Sequence, residues 1–126
     1  MMPIDPRLPY DDNNVFARIL RGELPCKKVH EDEFSLAFHD INPQAPVHVL
    51  VIPKGPYVSW DDFTRLAPAE EIAGFMRSVG EVTRILELDQ PGYRLLVNMG
   101  GHGHQEVPHL HLHIFGGRQF YHMIAD

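Results

Sequence analysis

Cysteine is almost missing from this 126-residue chain: Cys26 is its one thiol, so no intrachain disulfide can form. The fold must therefore stand on its core, and a reducing, cytoplasmic compartment is expected. Long apolar runs are missing too. None approaches the roughly 20 residues that cross a bilayer, and residues 1–7 lack a basic start followed by an apolar stretch, so neither a membrane span nor a signal peptide is expected. Positive charge is scarce, with 11 Lys and Arg against 17 Asp and Glu and a net charge of −6 when His is neutral. That balance argues against nucleic-acid backbone or an anionic membrane as partner, and leaves room for a small phosphorylated ligand in a locally positive pocket. Repeats, low-complexity tracts and linkers are absent. The length suits a single domain over 1–126, with a loose arm at 1–12 and a tail at 119–126.

Histidine is what the chain has in excess. There are nine, and His102, His104, His109, His111 and His113 fall within a dozen residues. Around them the hydrophobic pattern predicts an α+β domain. Asn13 or Asn14 caps a short helix carrying Val15, Phe16, Ile19 and Leu20, ended by Gly22 and Pro25. Strands are predicted over 29–31, 34–39, 47–52, 93–98 and 109–115. One helical turn is expected within 59–66, and a long helix over 68–86 with Ile72, Phe75, Met76, Val79, Val82, Ile85 and Leu86 as its core stripe. Runs of strands broken by one long helix imply a five-stranded, mostly antiparallel sheet with one long and one short helix.

On a strand over 109–115, side chains alternate between faces. His109, His111 and His113 then share one face, while Leu110, Leu112 and Ile114 share the other and fix the register. Three chemistries fit such a row. It could be an ordinary solvated face of a sheet. It could bind metal, although alternate strand residues stand roughly 6.6 Å apart, so His109 and His113 are about 13 Å apart and cannot both reach one ion without strain. No Cys pair or matching carboxylate spacing completes a metal site, and none is expected. The third chemistry is phosphorus: a neutral imidazole is a nucleophile, and its neighbours hold phosphate oxygens. The middle residue, His111, is then best placed to attack. The preceding loop, 98–107, adds glycines that let backbone approach phosphate, with Asn98 and Gln105 as donors.

His-Leu-His-Leu-His-Ile-Phe resembles the histidine-triad motif. The segments Val15-Phe16 with Ile19, 36–46, His48 with 51–54, Gly92-Tyr93-Arg94 with Asn98, Gln105-Glu106-Val107 and Gly116-Gly117-Arg118 resemble the nucleotide-binding (Hint-like) branch of that superfamily. Strung in order they cover about residues 14–118. The resemblance implies a purine nucleoside phosphoramidate hydrolase, a homodimer with a joined sheet, and no cofactor. It makes His111 the nucleophile, His113 the contact to phosphate oxygens, His109 the first triad residue and His48 the fourth histidine of the site. Asp40 becomes the acid that holds the ribose hydroxyls. Phe16, Ile19, Phe38 and Ile41 become the apolar base pocket, and Asn98 and Gln105 polar contacts near the phosphate. Glu106 lies near the leaving amine, where some relatives carry Ser and others Glu. His104 replaces a common glycine, and the tail over 119–126 matches nothing familiar. Phe115 stands where a nucleotidyl transferase of the superfamily would have Gln. The competing expectation is a nucleotide-sensing or scaffold protein with little turnover. Cys26 is read as an incidental thiol, though Lys27 and Lys28 beside it would lower its pKa.

Overall fold

Asn14 opens the first helix, α1 (Val15–Leu20), by accepting the N–H groups of Phe16 and Ala17 on its side-chain oxygen. These are donors that a helix start otherwise leaves bare. The computed structural model describes residues 4–124; the outer ends of the expected arm and tail, 1–3 and 125–126, lie outside the described residues. After α1 come β1 (Lys28–Glu31), β2 (Ser35–His39), β3 (Val47–Pro53), α2 (Trp60–Leu66), α3 (Ala69–Ile85), β4 (Arg94–Val97) and β5 (Leu112–Gly116). The strands form one sheet in the order β1-β2-β3-β5-β4, every pair antiparallel. The α+β fold is as the sequence predicts.

Three local differences have physical causes. Residues 59–66 hold a seven-residue helix rather than one turn, because Ser59 and Asp62 close a capping box around its start. The last strand begins at Leu112, so His109 and His111 lie just ahead of the ladder, whose final pairs are Val51 with Leu112 and Val97 with Leu112. Pro53 ends β3 and has no N–H to extend the pairing. Finally, Met76 and Ile85 are 51% and 45% exposed, so they do not belong to the core stripe of α3. That helix buries Gly74, Phe75, Ser78, Val79, Val82 and Thr83 instead. The apolar stripe is therefore wider than the face that packs.

The two faces of the sheet build two cores. Ala37, Val49, Val51, Leu112 and Ile114 meet α2 and α3 through Phe63, Phe75, Val79 and Val82. Leu36, Phe38, Leu50 and Ile52 face the other way and pack with Phe16 of α1. Strand β3 is buried on both faces, as its β-branched run suggests. No helix among the described residues is long and apolar enough to cross a membrane.

Candidate active site

Register decides which histidines meet. Leu50 pairs with His113 and His48 with Phe115, so His48 and His113 project on the Leu50 face, opposite Leu112 and Ile114. Ring centroids of His48 lie 5.2 Å from His113 and 4.3 Å from Phe115. The His113 and His111 rings meet edge to face at 5.1 Å. Phe16 closes over the column, with its centroid 5.0 Å from His111 and 6.4 Å from His109. Leu110, although outside the regular strand, still joins Leu112 and Ile114 in the helix-side core. The alternation read from the sequence is therefore real, but the imidazole face is not a solvated one. His109, His111 and His48 are buried and His113 is half-buried.

Hydrogen bonds fix the protons. His109 Nε2 lies 2.8 Å from the Pro53 carbonyl, which can only accept, so Nε2 carries the hydrogen. Nδ1 of the neutral ring then accepts from the Tyr10 hydroxyl at 2.5 Å. His111 Nδ1 lies 2.8 Å from the His109 carbonyl, so its hydrogen sits on Nδ1 and its Nε2 keeps a lone pair. No hydrogen bond among the described residues engages that nitrogen. On the other side, the Gln44 N–H donates to His48 Nδ1 at 3.1 Å, which places the His48 hydrogen on Nε2. His48 Nε2 donates to His113 Nδ1 at 2.9 Å, so His113 carries its hydrogen on Nε2, buried and without a partner among the described residues. A bare nucleophilic nitrogen on His111 thus stands beside an uncommitted N–H on His113.

The electrostatics favour this uncharged arrangement. Burial pushes His109 down from its ordinary value near 6.5 to about 4. It does the same to His113, also to about 4, with help from repulsion by His111 and His48. Burial lowers His111 and His48 as well, against the pull of Asp40.

Asp40 follows β2. One of its oxygens accepts the Asn42 N–H at 2.8 Å and the other lies 3.5 Å from His48 Nε2. It opens with His48 onto a cavity of about 680 Å³ that Cys26, Lys27, His39 and Ile41 also line. Ile41 rims it, 91% exposed. Phe16 and Phe38 lie in the buried cluster behind, with Ile19 and Cys26 packed against it. Burial raises the Cys26 thiol and outweighs Lys28, so the neighbouring lysines do not activate it, in keeping with an incidental thiol. Donor atoms of Asp40, His48 and His113 all lie within 4.8 Å of one another and could hold a cation. Binding one there would require the two imidazoles to give up their mutual hydrogen bond.

The loop residues divide. Gln105 is buried; its amide nitrogen donates to the Val58 and Val107 carbonyls at 2.6 and 3.0 Å, and its oxygen accepts the Gly100 N–H at 3.0 Å. Both of its N–H groups are engaged, so it braces the loop. Asn98 is half-buried directly after β4. Glu106 is exposed and pairs with His104 at 3.0 Å. His104 has φ 61°, a left-handed conformation that suits glycine. A second groove, along α3, holds a Ser78–Asp32–His30 cluster. There the Asp32 carboxylate accepts from both Ser78 and His30, so the imidazole faces the carboxylate and not the Ser78 hydroxyl.

Tyr10, the Pro53 carbonyl and the Gln44 N–H are the parts that sequence reasoning missed. Two are backbone groups without a side-chain signal. Tyr10 sits 99 positions from its partner, in an arm expected to be loose.

Comparison with known proteins identifies the family. A 64% identical relative over 116 residues, an uncharacterised 13.2 kDa HIT-like protein of Azospirillum brasilense, is matched over 92% of this chain and 95% of its own. A HIT family hydrolase from Clostridium thermocellum superposes with a TM-score of 0.83 at 37% identity, covering 90% of this chain and 98% of that one. A histidine triad nucleotide-binding protein from Candida albicans gives a TM-score of 0.72 at 29% identity, over 90% and 87% of the two chains. The HIT domain family matches residues 21–120. The chain belongs to the HIT domain family.

Proposed function

We propose that this protein is a metal-independent hydrolase of purine nucleoside 5′-phosphoramidates that works through a nucleotidyl intermediate on His111. The observation that carries the proposal is the pairing of a lone pair on His111 Nε2, fixed by the bond from Nδ1 to the His109 carbonyl, with the free Nε2–H of His113. The relatives described as a hydrolase and as a nucleotide-binding protein support the substrate class.

In this scheme Asp40 accepts the ribose hydroxyls at the cavity mouth, and the base lies against the apolar side near Ile41, with Phe16, Ile19 and Phe38 behind it. His111 Nε2 attacks the α-phosphorus and the P–N bond breaks. The amine takes a proton from solvent as it departs past Glu106. His113 donates to a phosphoryl oxygen, and the His48 ring holds it in the donating tautomer. Water then attacks the phosphorus, releases the nucleoside monophosphate and returns a proton. Neutral, buried imidazoles suit a nucleophile that must not be protonated, and their fixed orientation removes reorganisation from the chemical step.

A homodimer with a continuous sheet accompanies this reading. Strand β4 is an edge of the sheet, and Leu95 and Leu96 on it, with Met76 and Ile85 of α3, are exposed apolar side chains. Light scattering on the purified chain measures this directly.

The test is hydrolysis of a fluorogenic adenosine phosphoramidate in excess chelator by the wild type and H111A. Turnover by the wild type, lost in H111A, is expected. Equal turnover by both would remove His111 from the mechanism, and turnover abolished by chelation would make it metal-dependent. Binding of adenosine monophosphate without turnover would make the protein a nucleotide sensor.

A further inference from the structure

We propose that Tyr10 is a positioning residue for the histidine column, a role that rests on the assignment of His111 as nucleophile. The His109 carbonyl sets the tautomer of His111. That carbonyl belongs to a residue outside the sheet, since the ladder between β3 and β5 ends at Leu112. Strand pairing therefore does not hold it. Three other bonds do: Leu110 N–H to the Tyr57 carbonyl at 2.9 Å, His109 Nε2–H to the Pro53 carbonyl at 2.8 Å, and the Tyr10 hydroxyl to His109 Nδ1. Among the described residues Tyr10 is the one side chain that hydrogen-bonds the His109 ring, and its own ring stands edge-on to it at a centroid distance of 5.6 Å.

The arm that brings Tyr10 there is itself tied down. The Arg21 guanidinium donates to the Asp12 carbonyl at 2.8 Å, and the Asn14 side-chain nitrogen donates to the Asp11 carbonyl at 2.7 Å. Asn14 also caps α1, which carries Phe16. One continuous stretch thus delivers Tyr10 to His109 and Phe16 to His111. Losing the hydroxyl leaves Nδ1 of a buried ring unpaired and frees the ring to tilt or exchange tautomer, which moves the carbonyl that orients His111.

The experiment compares the full-length wild type, Y10F and Y10A by nitrogen-15 spectroscopy of the imidazoles and by steady-state turnover of the adenosine phosphoramidate. Y10F keeps the ring and removes only the hydroxyl. It is expected to shift the His109 Nδ1 resonance and speed exchange of the His111 Nδ1 proton with water. Its kcat should fall about tenfold, with KM changed less than about twofold. Wild-type values of both kcat and His111 proton exchange in Y10F would overturn the role. So would a fall in kcat that only tracks the unfolded fraction, and so would loss in Y10A with none in Y10F, which would assign the effect to ring packing. If the wild type itself has no turnover, the phosphoramidase reading fails separately. The imidazole spectra then decide Tyr10 alone, and unchanged His109 and His111 resonances in Y10F would overturn its role.

Discussion

Acidification should destabilise this protein through His109 in a way that can be isolated. The ring is fully buried, and burial brings it from an ordinary value near 6.5 to about 4. Each unit of difference between folded and unfolded values is worth about 1.4 kcal/mol, so this residue alone withdraws about 3 kcal/mol of stability by pH 4. The sign follows from proton uptake. Above pH 6.5 neither state is protonated at His109 and its contribution is complete. Between 6.5 and 4 the unfolded chain binds a proton that the native ring refuses, so stability falls as pH falls. Below pH 4 both states bind it and the loss levels off. Urea unfolding followed by the fluorescence of Trp60, from pH of about 7.5 to about 4.5, measures the slope. H109Q keeps an amide donor for the Pro53 carbonyl and removes the ionisation. The wild-type curve should be steeper by up to about 1.4 kcal/mol per pH unit between the two values, and parallel to that of H109Q at the neutral end of the range. Curves parallel over the whole range would refute the reasoning, because they would mean that His109 has the same proton affinity folded and unfolded. His113 acts with the same sign, since its value is lowered in the same direction.

Other perturbations test the supports of the site. Leu110→Ala removes a side chain that is 1% exposed, from the face opposite the histidines, and should cost about 2–5 kcal/mol in urea unfolding. Gln105→Ala leaves the Gly100 N–H and two carbonyls without their partner, so about 1–3 kcal/mol should be lost and amide exchange at Gly100 should accelerate. His104→Gly relieves a left-handed φ of 61° and gives up only an exposed pair with Glu106, so thermal unfolding should show no loss of stability and up to about 1 kcal/mol of gain.

The fold was legible because its signals are local and periodic. Alternation in the histidine strand sorted its side chains onto the correct faces, the β-branched run of β3 marked a strand buried on both sides, and Asn14, Gly22 and Pro53 marked real boundaries. Where the reading slipped, tertiary packing decided. Met76 satisfies helical spacing as well as Phe75 does, and only the position of the sheet beneath α3 leaves one exposed and the other buried. The second helix was underestimated because its stability comes from a capping box with aspartate in the glutamate position, a weaker sequence signal.

The candidate site was legible in its members and illegible in its protons. Strand spacing brought His109, His111 and His113 to one face, and the Leu50–His113 register brought His48 to them. What makes the row chemically directional is which nitrogen of each ring bears hydrogen. Those choices come from partners that strand spacing does not announce: Pro53 and Tyr10, far away in sequence, for His109, and the backbone N–H of nearby Gln44 for His48. A row of three solvated histidines would carry the same sequence pattern, exchange tautomers freely and titrate near 6.5. Burial under Phe16 and fixed bonds at both ends convert it into a column with one unbonded lone pair, on His111, and one uncommitted donor, on His113. The two ends are anchored independently, His109 by the arm and β3, His48 by the turn at Gln44. Loosening one end should therefore disturb the nucleophile or the donor separately. Turnover and imidazole spectra of Y10F against a variant altered at the Gln44 turn can distinguish the two.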